Sequence, residues 1–378
     1  MEFRIARADL GEAVAWAARA LPARTPAPVL GGLSLTAGSG RLTVSGFDFE
    51  TAARIETDAE TVTEGRVLVL GRRLLDICRV LPEGPVNCLL EGSRFTVEAG
   101  GARFGLSTLP YEEYPVPPEA PPVHGGVDAA AFATAVGQVA VAAGRDDTLP
   151  VLTGVQVRFE GEELVLSALD RYRCAVRRLE WKPEAGTGSA GEAVEALLPA
   201  RRLLEAARSL ARCGIVRIGI DPSAGAGGGM VGLEGGRTST VLRRLEGRLP
   251  GYGTLFDLAG AAVAEVECGA LTEAVRRVAV VAEANSPVRL EFSAGDGSVL
   301  VQAGIGDDVA AQRLPAVLRG CDEVAVAFNP AYLLDALNSF EGPGLRLELL
   351  GAGQRVLLGA PGAGAGHRHL LMSVKQLV

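Results

Sequence analysis

The chain has 378 residues, of which 48% are hydrophobic and 5% aromatic, and this size and composition predict two or three globular domains. A formal net charge of −8 argues against adhesion to nucleic acid over the whole surface but allows a locally basic face. No segment has the roughly 18 strongly apolar residues of a membrane span, and the first residues lack the apolar centre of a signal peptide, so a cytoplasmic location is expected.

One sequence pattern occurs three times along the chain. A helical pattern rich in alanine and valine is followed by a polar break, a proline and an alternating strand pattern. The three copies begin at Arg7, Asp128 and Cys268, and their prolines are Pro28, Pro150 and Pro287. Because proline after a periodic segment marks the end of a helix, each copy predicts a helix and then a half-buried strand.

A second pattern recurs later in each copy and predicts a strand, a short turn, a helix and a glycine. It spans Val67–Gly84, Ala196–Gly214 and Val324–Gly344. The triplets Leu74-Leu75-Asp76, Leu203-Leu204-Glu205 and Leu333-Leu334-Asp335 occupy equivalent places. Two landmarks that keep the same order three times indicate triplication of one structural unit.

The unit boundaries are expected where the helix and strand patterns give way to linker-like composition. Glu113–Gly126 is a proline-rich linker, and Arg248–Ala261 is a second, shorter connection. These give three units, 1–120, 127–252 and 259–378, each with about two helices and several antiparallel strands in an α+β plan. The apolar tail Leu370–Val378 is predicted to be a strand, although disordered termini are usually small and polar.

Few features suit a catalytic or metal site. The glycine-rich stretch Ser223–Gly236 lacks the Lys-Ser/Thr pair and the helix of a phosphate loop, which favours a hairpin loop. His367 and His369 would share a strand face and could hold a metal, but we interpret the pair as incidental. The acidic pairs Asp146-Asp147 and Asp307-Asp308 are typical of solvated turns. No nucleophile, base and orienting group combine, so no catalytic residue, cofactor or metal is expected.

The remaining histidine and the cysteines also suggest no chemistry. His124 lies in the proline-rich linker without an apparent partner. The six cysteines are dispersed among aliphatic residues without a C-x-x-C pair, which predicts buried, reduced thiols.

Arginine recurs on the predicted helices. Arg72 and Arg79 share one helix face, as do Arg201, Arg208 and Arg212 on the equivalent helix. Further arginines lie on or just after the initial helices, namely Arg19, Arg24, Arg145, Arg276 and Arg277. Two interpretations stay open, an ordinary solvated face or a surface directed at a polyanion. The third copy of the second pattern has no basic residue, so a basic surface would weaken there.

Several motifs in order resemble one protein family. The segments are RRLLDICRVLPEG, RFGLSTLPYEEYP, LPVLTGV, LDRYR, RLEGRLPGYGTLF and LLMSVK, within three tandem units. They resemble the bacterial DNA polymerase III β subunit, the sliding clamp, over essentially the whole chain, with the closest likeness to actinobacterial members. The resemblance implies a non-enzymatic processivity factor in which two subunits close head to tail into a ring around duplex DNA. Helices would line the hole, and antiparallel sheets would lie outside.

The resemblance also implies residue roles, by motif position. The DNA-facing residues would be Arg24, Arg72, Arg79, Arg145, Arg201 and Arg202. The dimer contact would include Phe104, Leu106 and Arg73 on one subunit and Val280 and Val281 on the other. An apolar pocket for short peptides of polymerases, the clamp loader and repair proteins would contain Leu152, Leu169, Asp170, Tyr172, Arg173, Cys174, Pro250, Thr254, Leu255, Leu370, Met372, Ser373, Val374 and Lys375. The last strand would form a pocket wall, an edge strand that seals the third unit, or both, because a strand has two faces.

Departures from the family pattern cluster at this pocket. Ser373 stands where proline is usual, Leu169 where Ser or Thr is common and Arg171 where glycine is frequent, and Gln376–Val378 prolongs the ending. The clustering motivates the hypothesis of a second, specialised clamp whose pocket rejects a clamp-targeting antibiotic while accepting partners. A non-ring, monomeric binding protein or enzyme of the same fold is the other alternative.

Overall fold

The structure is a computed structural model that describes residues 1–24, 27–184, 194–221, 229–282, 286–305, 308–362 and 366–375. Its described residues form two compact units. The first unit comprises the described residues within Met1–Ala129, Glu184–Thr187 and Arg212–Arg244. The second comprises those within Ala130–Pro183, Gly188–Ala211 and Leu245–Val378. The middle sequence repeat therefore contributes to both units.

Six α-helices lie in the described residues, two for each sequence repeat. They are α1 (Arg7–Ala17), α2 (Gly71–Val80), α3 (Ala129–Ala140), α4 (Ala200–Leu210), α5 (Cys268–Val278) and α6 (Pro330–Leu337). On α2, Leu74 and Cys78 are buried while Arg72 and Arg79 are exposed, as the amphipathic pattern predicts. Pro28 and Pro150 each begin a short 3-10 turn before a strand, because proline suits the first position of a helical turn.

The strands have two to twelve residues. In chain order they are β1 (Glu2–Ala6), β2 (Gly32–Gly38), β3 (Arg41–Phe47), β4 (Thr51–Asp58), β5 (Glu60–Thr63), β6 (Gly65–Leu70), β7 (Pro85–Glu91), β8 (Arg94–Ala99), β9 (Ala102–Ser107), β10 (Val123–Asp128), β11 (Gly154–Glu160), β12 (Glu163–Leu169), β13 (Arg173–Glu180), β14 (Lys182–Pro183), β15 (Val194–Pro199), β16 (Ile215–Ile220), β17 (Met230–Gly235), β18 (Thr238–Arg243), β19 (Ala262–Glu267), β20 (Val288–Ser293), β21 (Ser298–Ile305), β22 (Asp308–Arg319), β23 (Glu323–Phe328), β24 (Gly344–Leu349), β25 (Arg355–Gly359) and β26 (His367–Met372).

Each unit is built on extended sheets. The first unit has a five-stranded sheet, β5-β1-β7-β8-β9, and a second sheet in which eight strands follow the order β10-β16-β17-β18-β4-β3-β2-β6. The second unit has one sheet of twelve strands, β15-β11-β12-β13-β26-β25-β24-β19-β22-β21-β20-β23. One core of the second unit lies between this sheet and helices α5 and α6.

The closing strand β26 is an interior strand, so the alternative of an edge strand is wrong. It pairs antiparallel with β13 on one side and with β25 on the other. Its range also differs from the predicted Leu370–Val378, because the strand begins at His367 and ends at Met372. Residues 376–378 lie outside the described part of the chain. Four of the six residues of β26 are buried, which accounts for its apolar composition.

Three smaller expectations were wrong. Strand β10 occupies the end of the predicted linker, and Nδ1 of His124 lies 3.0 Å from the carbonyl oxygen of Pro122 and 3.3 Å from the backbone nitrogen of Ile220. Cys213 is half-buried and Cys321 exposed, whereas the other four cysteines are buried as predicted. Cys321 lies in the turn between β22 and β23, where little packs over the thiol.

Candidate functional site

Five of the predicted pocket residues lie in one apolar cluster of the second unit. They are Leu152, Leu169, Cys174, Leu255 and Leu370. The sequence resemblance missed further members, namely Tyr252, Phe256, Leu249, Leu258, Leu350 and Leu357. We call these eleven residues the slot cluster. Strands β12, β13, β25 and β26 and the 3-10 turn Gly253–Phe256 bring them together.

Other predicted pocket residues are more exposed. Tyr172 is 52% exposed, Met372 38% and Val374 36%, which is high for large apolar side chains. The backbone N–H of Met372 donates to the carbonyl oxygen of Tyr172 over 2.8 Å, so these two residues are held together. Pro250, Thr254 and Lys375 are also exposed. We call Tyr172, Met372 and Val374 the apolar rim, because large apolar groups left in water are candidates for contact with a partner.

Ser373 differs from its neighbours in the tail because it is buried, with 5% of its surface exposed. Its hydroxyl donates to the carbonyl oxygen of Gln354 over 2.8 Å and accepts from the backbone N–H of Gln354 over 3.0 Å. The side chain is therefore tied to the turn before β25, between the exposed side chains of Met372 and Val374.

Arg173 is occupied within the protein. Its side chain is 2% exposed, and its Nε donates to Oδ2 of Asp170 over 2.9 Å. Its Nη1 donates to Oδ2 of Asp335 on α6 over 2.8 Å, and its guanidinium lies 4.4 Å from the ring centre of Tyr332. Sequence reasoning missed Tyr332 and Asp335, since they lie far along the chain from Arg173.

Arg355 is another residue that the sequence did not indicate. Its Nη1 donates to the carbonyl oxygens of Thr254 and Leu255 over 3.1 and 3.0 Å. Because Arg355 pairs with Met372 across β25 and β26, it fixes the turn that carries Leu255 beside the last strand. No local pattern marks such a contact.

The Cys174 thiol and the two histidines of β26 are uncharged near neutral pH. Burial raises the pKa of the Cys174 thiol to about 12, so the thiolate is not formed near neutral pH. Burial lowers the pKa of His367 to about 4, and it lowers the pKa of His369 well below the usual value. His367 and His369 are buried on β26, and no cluster of three metal-ligating side chains occurs in the described residues. The arrangement suits the binding of apolar side chains.

The predicted DNA-facing arginines are mostly exposed. Arg72 donates from Nη2 to the carbonyl oxygens of Pro22 and Ala23, which brings it beside exposed Arg24. On α4, Arg201 is 86% exposed and Arg202 only 28%, so Arg201 is the more accessible of the two. Several of these arginines also contact carboxylates, as Arg79 with Asp76, Arg145 with Asp335 and Arg201 with Glu205.

The predicted dimer residues differ in exposure. Val280 is 83% exposed and Arg73 is exposed, but Leu106 on β9 is 4% exposed and Phe104 is half-buried. Val281 packs against the core beneath α5. Val80, seven residues after Arg73 on α2, is 68% exposed and was not predicted. In the single chain, Val280 and Val80 are therefore far more exposed than Leu106.

Other candidate sites give no catalytic arrangement. Oδ1 of Asp146 accepts from the backbone N–H and the hydroxyl of Thr148, and these hydrogen bonds lower its pKa, as suits the predicted turn. Asp307 and much of the glycine-rich stretch lie outside the described residues. A groove of about 730 Å³ on the first unit is lined by residues such as Ser45, Arg54 and Tyr111. Its hydroxyl and charged groups contrast with the apolar slot cluster.

Comparison with known proteins identifies the family. Residues 1–118, 126–251 and 255–374 match the N-terminal, central and C-terminal domains of the DNA polymerase III beta subunit. The chain is 47% identical to the beta sliding clamp of Streptomyces coelicolor over 99% of both chains. The chain belongs to the DNA polymerase III β subunit family. The predicted resemblance and its actinobacterial character are thus confirmed.

Other clamps support the same assignment. The chain is 40% identical to the beta sliding clamp homolog GriR of Streptomyces muensis, over 99% of both chains. Its fold matches that of the Pseudomonas aeruginosa sliding clamp bound to griselimycin, with a TM-score of 0.90 and 23% identity over the whole of both chains. The predicted α+β fold of three clamp domains is confirmed.

Sliding clamps are processivity factors of DNA replication and have no catalytic activity, so the prediction that this chain is not an enzyme is confirmed by its family. Clamps of this family form a dimeric ring that tethers partners through a pocket. No helix in the described ranges has both the length and the apolar character to span a membrane.

Proposed function

We propose that two copies of this chain close head to tail into a ring around duplex DNA and tether the replicative polymerase. The ring would hold DNA by topology, so it needs no contacts to base edges and can slide. The clamp loader and repair proteins would use the same peptide pocket as the polymerase, and the cytoplasm would be the site of action. Full-length similarity to the Streptomyces coelicolor clamp supports this proposal.

The slot cluster and the apolar rim are proposed to bind the partner peptide. The observation that carries this assignment is the exposure of Tyr172, Met372 and Val374 beside a buried apolar cluster. Short peptides with apolar anchors bind such grooves, and a flexible Met adapts to different anchors. The remaining predicted pocket residues would support the rim, with Arg173 acting from beneath it.

The DNA-facing surface is proposed to consist of arginines on or near the helices. Arg24, Arg72, Arg79, Arg145, Arg201 and Arg202 are the candidates. Arg79, Arg145 and Arg201 contact carboxylates, so each of these three attracts phosphate less strongly than an unpaired arginine would. Diffuse, weak attraction of this kind suits a ring that must move along DNA.

The dimer contact is proposed to join Arg73, Phe104 and Leu106 of one subunit to Val280 and Val281 of the other. Val80 would belong to the first surface and, with Val280, would contribute most of the newly buried apolar area. Solution mass tests this directly, since a closed dimer has twice the 39.1 kDa of the chain. A persistent monomer at micromolar concentration would favour the alternative of a non-ring protein.

The pocket assignment is tested by titration with a peptide copied from the clamp-binding segment of a replicative polymerase. We expect micromolar or tighter binding that is lost on replacing Met372 and Val374 by Lys. A peptide that binds equally well to wild type and this double variant would locate partner binding elsewhere. Val309→Lys, on an exposed valine of β22, is the matched control.

An auxiliary clamp with an altered pocket remains an alternative to the main replication clamp. The likeness to GriR and to a griselimycin-bound clamp fits this alternative without favouring it. Griselimycin and the polymerase peptide should be titrated in parallel against this protein and the Streptomyces coelicolor clamp. Equal affinities of both ligands for both proteins would eliminate the specialised pocket.

A further inference from the structure

The acidic residue of the repeated Leu-Leu-Asp/Glu triplet has a different environment in the third repeat. On α2, Asp76 pairs with Arg79 of the same helix, and both side chains are at least 66% exposed. On α4, Glu205 pairs with Arg201 of the same helix. On α6, Asp335 instead contacts Arg173, which lies 162 residues earlier in the sequence. Only this third acidic residue of the three reaches a buried arginine on another element.

Arg173 is held from two sides. Asp170 contacts its Nε and Asp335 its Nη1, while the ring of Tyr332 covers the guanidinium. Tyr332 and Asp335 are three residues apart and therefore lie on one face of α6. A buried cation is costly unless charged or polar groups satisfy it, so loss of Asp335 leaves Arg173 incompletely paired.

The turn that Arg173 closes carries part of the apolar rim. Oδ1 of Asp170 accepts from the backbone N–H groups of Tyr172 and Arg173 over 2.8 and 3.0 Å. The ring of Tyr172 stacks on Tyr332 with their centres 5.9 Å apart. The carbonyl oxygen of Tyr172 in turn accepts the N–H of Met372. The positions of Tyr172 and Met372 thus depend on the same contacts that hold Arg173.

We propose that Asp335 is a positioning residue for the peptide slot, acting through Arg173 on the turn that carries Tyr172. The inference rests on the proposed role of the slot in peptide binding. Asp335 lies on α6, and its link to Tyr172 runs through Arg173 and Asp170. Its contribution is to restrict the rim to the binding-competent geometry before the peptide arrives.

The test is the affinity of Asp335→Asn for the polymerase peptide, measured on the full-length protein at 25 °C. We expect the Kd to rise by about fivefold or more, because the neutral amide no longer compensates the buried guanidinium. Asp76→Asn and Glu205→Gln, at the equivalent positions of the other repeats, should bind within about twofold of wild type. A folded Asp335→Asn protein with the wild-type Kd would overturn the proposal, whatever its melting temperature.

A double-mutant cycle separates positioning from general stability. Tyr172→Ala removes the side chain through which Asp335 is inferred to act, so adding Asp335→Asn should then weaken binding by less than about twofold. Fully additive losses would also overturn the proposal. If Asp335→Asn does not fold, Tyr332→Leu serves instead, since it removes the ring between Arg173 and Tyr172, and its Kd is expected to rise in the same way. Wild-type protein that binds no peptide would refute the slot assignment itself.

Discussion

The hydroxyl of Ser373 donates to the carbonyl oxygen of Gln354 over 2.8 Å, and the backbone N–H of Ser373 reaches the same oxygen at 3.0 Å. This double contact anchors the tail between Met372 and Val374, whose side chains are exposed. Compared with the proline that the family resemblance implies at this position, Ser373 adds two hydrogen-bond donors that hold the tail against the turn before β25. It does not add a hydroxyl to the exposed rim.

Ser373→Ala should lower the free energy of unfolding by about 1–2 kcal/mol, since it removes the hydroxyl contacts to the turn. Ser373→Pro should cost more, because proline also removes the N–H that donates to Gln354. Thermal unfolding of the two variants beside wild type measures the order. Peptide titration of Ser373→Ala should give a Kd within about twofold of wild type. A large change for this variant would mean that the hydroxyl contacts the ligand.

The buried histidines of β26 should make stability depend on pH. Burial depresses the pKa of His367 to about 4 and that of His369 well below its usual value, so the folded protein keeps both rings neutral. In the unfolded chain, both imidazole rings take up a proton near pH 6.5. The stabilisation is therefore complete above about pH 6.5 and is lost as pH falls toward 4, by at most about 1.4 kcal/mol per pH unit for each ring.

His369→Leu should flatten this dependence, because it removes one of the two buried rings that take up a proton on unfolding. The change breaks no hydrogen bond of the ring among the described residues. Denaturant unfolding at pH 7.5 and pH 5.0 gives the comparison. His124→Asn is the control, because His124 is only half-buried. Equal losses of stability for wild type and His369→Leu would show that other groups cause the acid sensitivity.

The apolar rim and the slot cluster should respond differently to truncation. Met372→Ala removes an exposed side chain, so we expect weaker peptide binding with little change in melting temperature. Leu370→Ala removes a side chain that is 2% exposed and should cost about 2–5 kcal/mol of stability. Parallel calorimetry and titration distinguish the two. A Met372→Ala protein that unfolds as early as Leu370→Ala would contradict the assignment of Met372 to the rim.

The arginines near the helices should set the salt dependence of DNA retention. The double variant Arg72→Ala and Arg201→Ala is expected to slide off linear DNA faster and to reduce the salt slope of binding by roughly two. Arg217→Ala on β16 is the matched control, because this arginine is exposed and paired with Glu234. Retention measured on linear DNA with free ends, at several salt concentrations, provides the data. Equal effects of the control and the double variant would refute a specific lining.

Val280 should be important for the ring. Val280→Glu places a charge on a side chain that is 83% exposed in the single chain and is proposed to be buried in the dimer. We expect sedimentation at the monomer mass of 39.1 kDa. Val62→Glu, on a 65% exposed valine of β5, should leave the dimer intact. A dimer that survives Val280→Glu would place the subunit contact elsewhere.

The sequence by itself determined the repeated pair of helices and their exposed arginines. These features follow from local periodicity, since a helix of 3.6 residues per turn must place Leu74 and Cys78 on one face and Arg72 on another. The family motifs also indicated five members of the slot cluster, including Leu169 and Leu370. Local signals of this kind can be recognised in a single sequence.

Only the tertiary structure decided what surrounds these elements. An apolar tail fits an edge or an interior strand equally well, and the pairing of β26 with both β13 and β25 depends on residues far away in the chain. The burial of Leu106 and the contact of Asp335 with Arg173 likewise depend on residues that are distant in the sequence. Three equivalent acidic residues look alike in sequence, but their partners differ because long-range packing brings the buried Arg173 to Asp335, while Asp76 and Glu205 pair with arginines of their own helices.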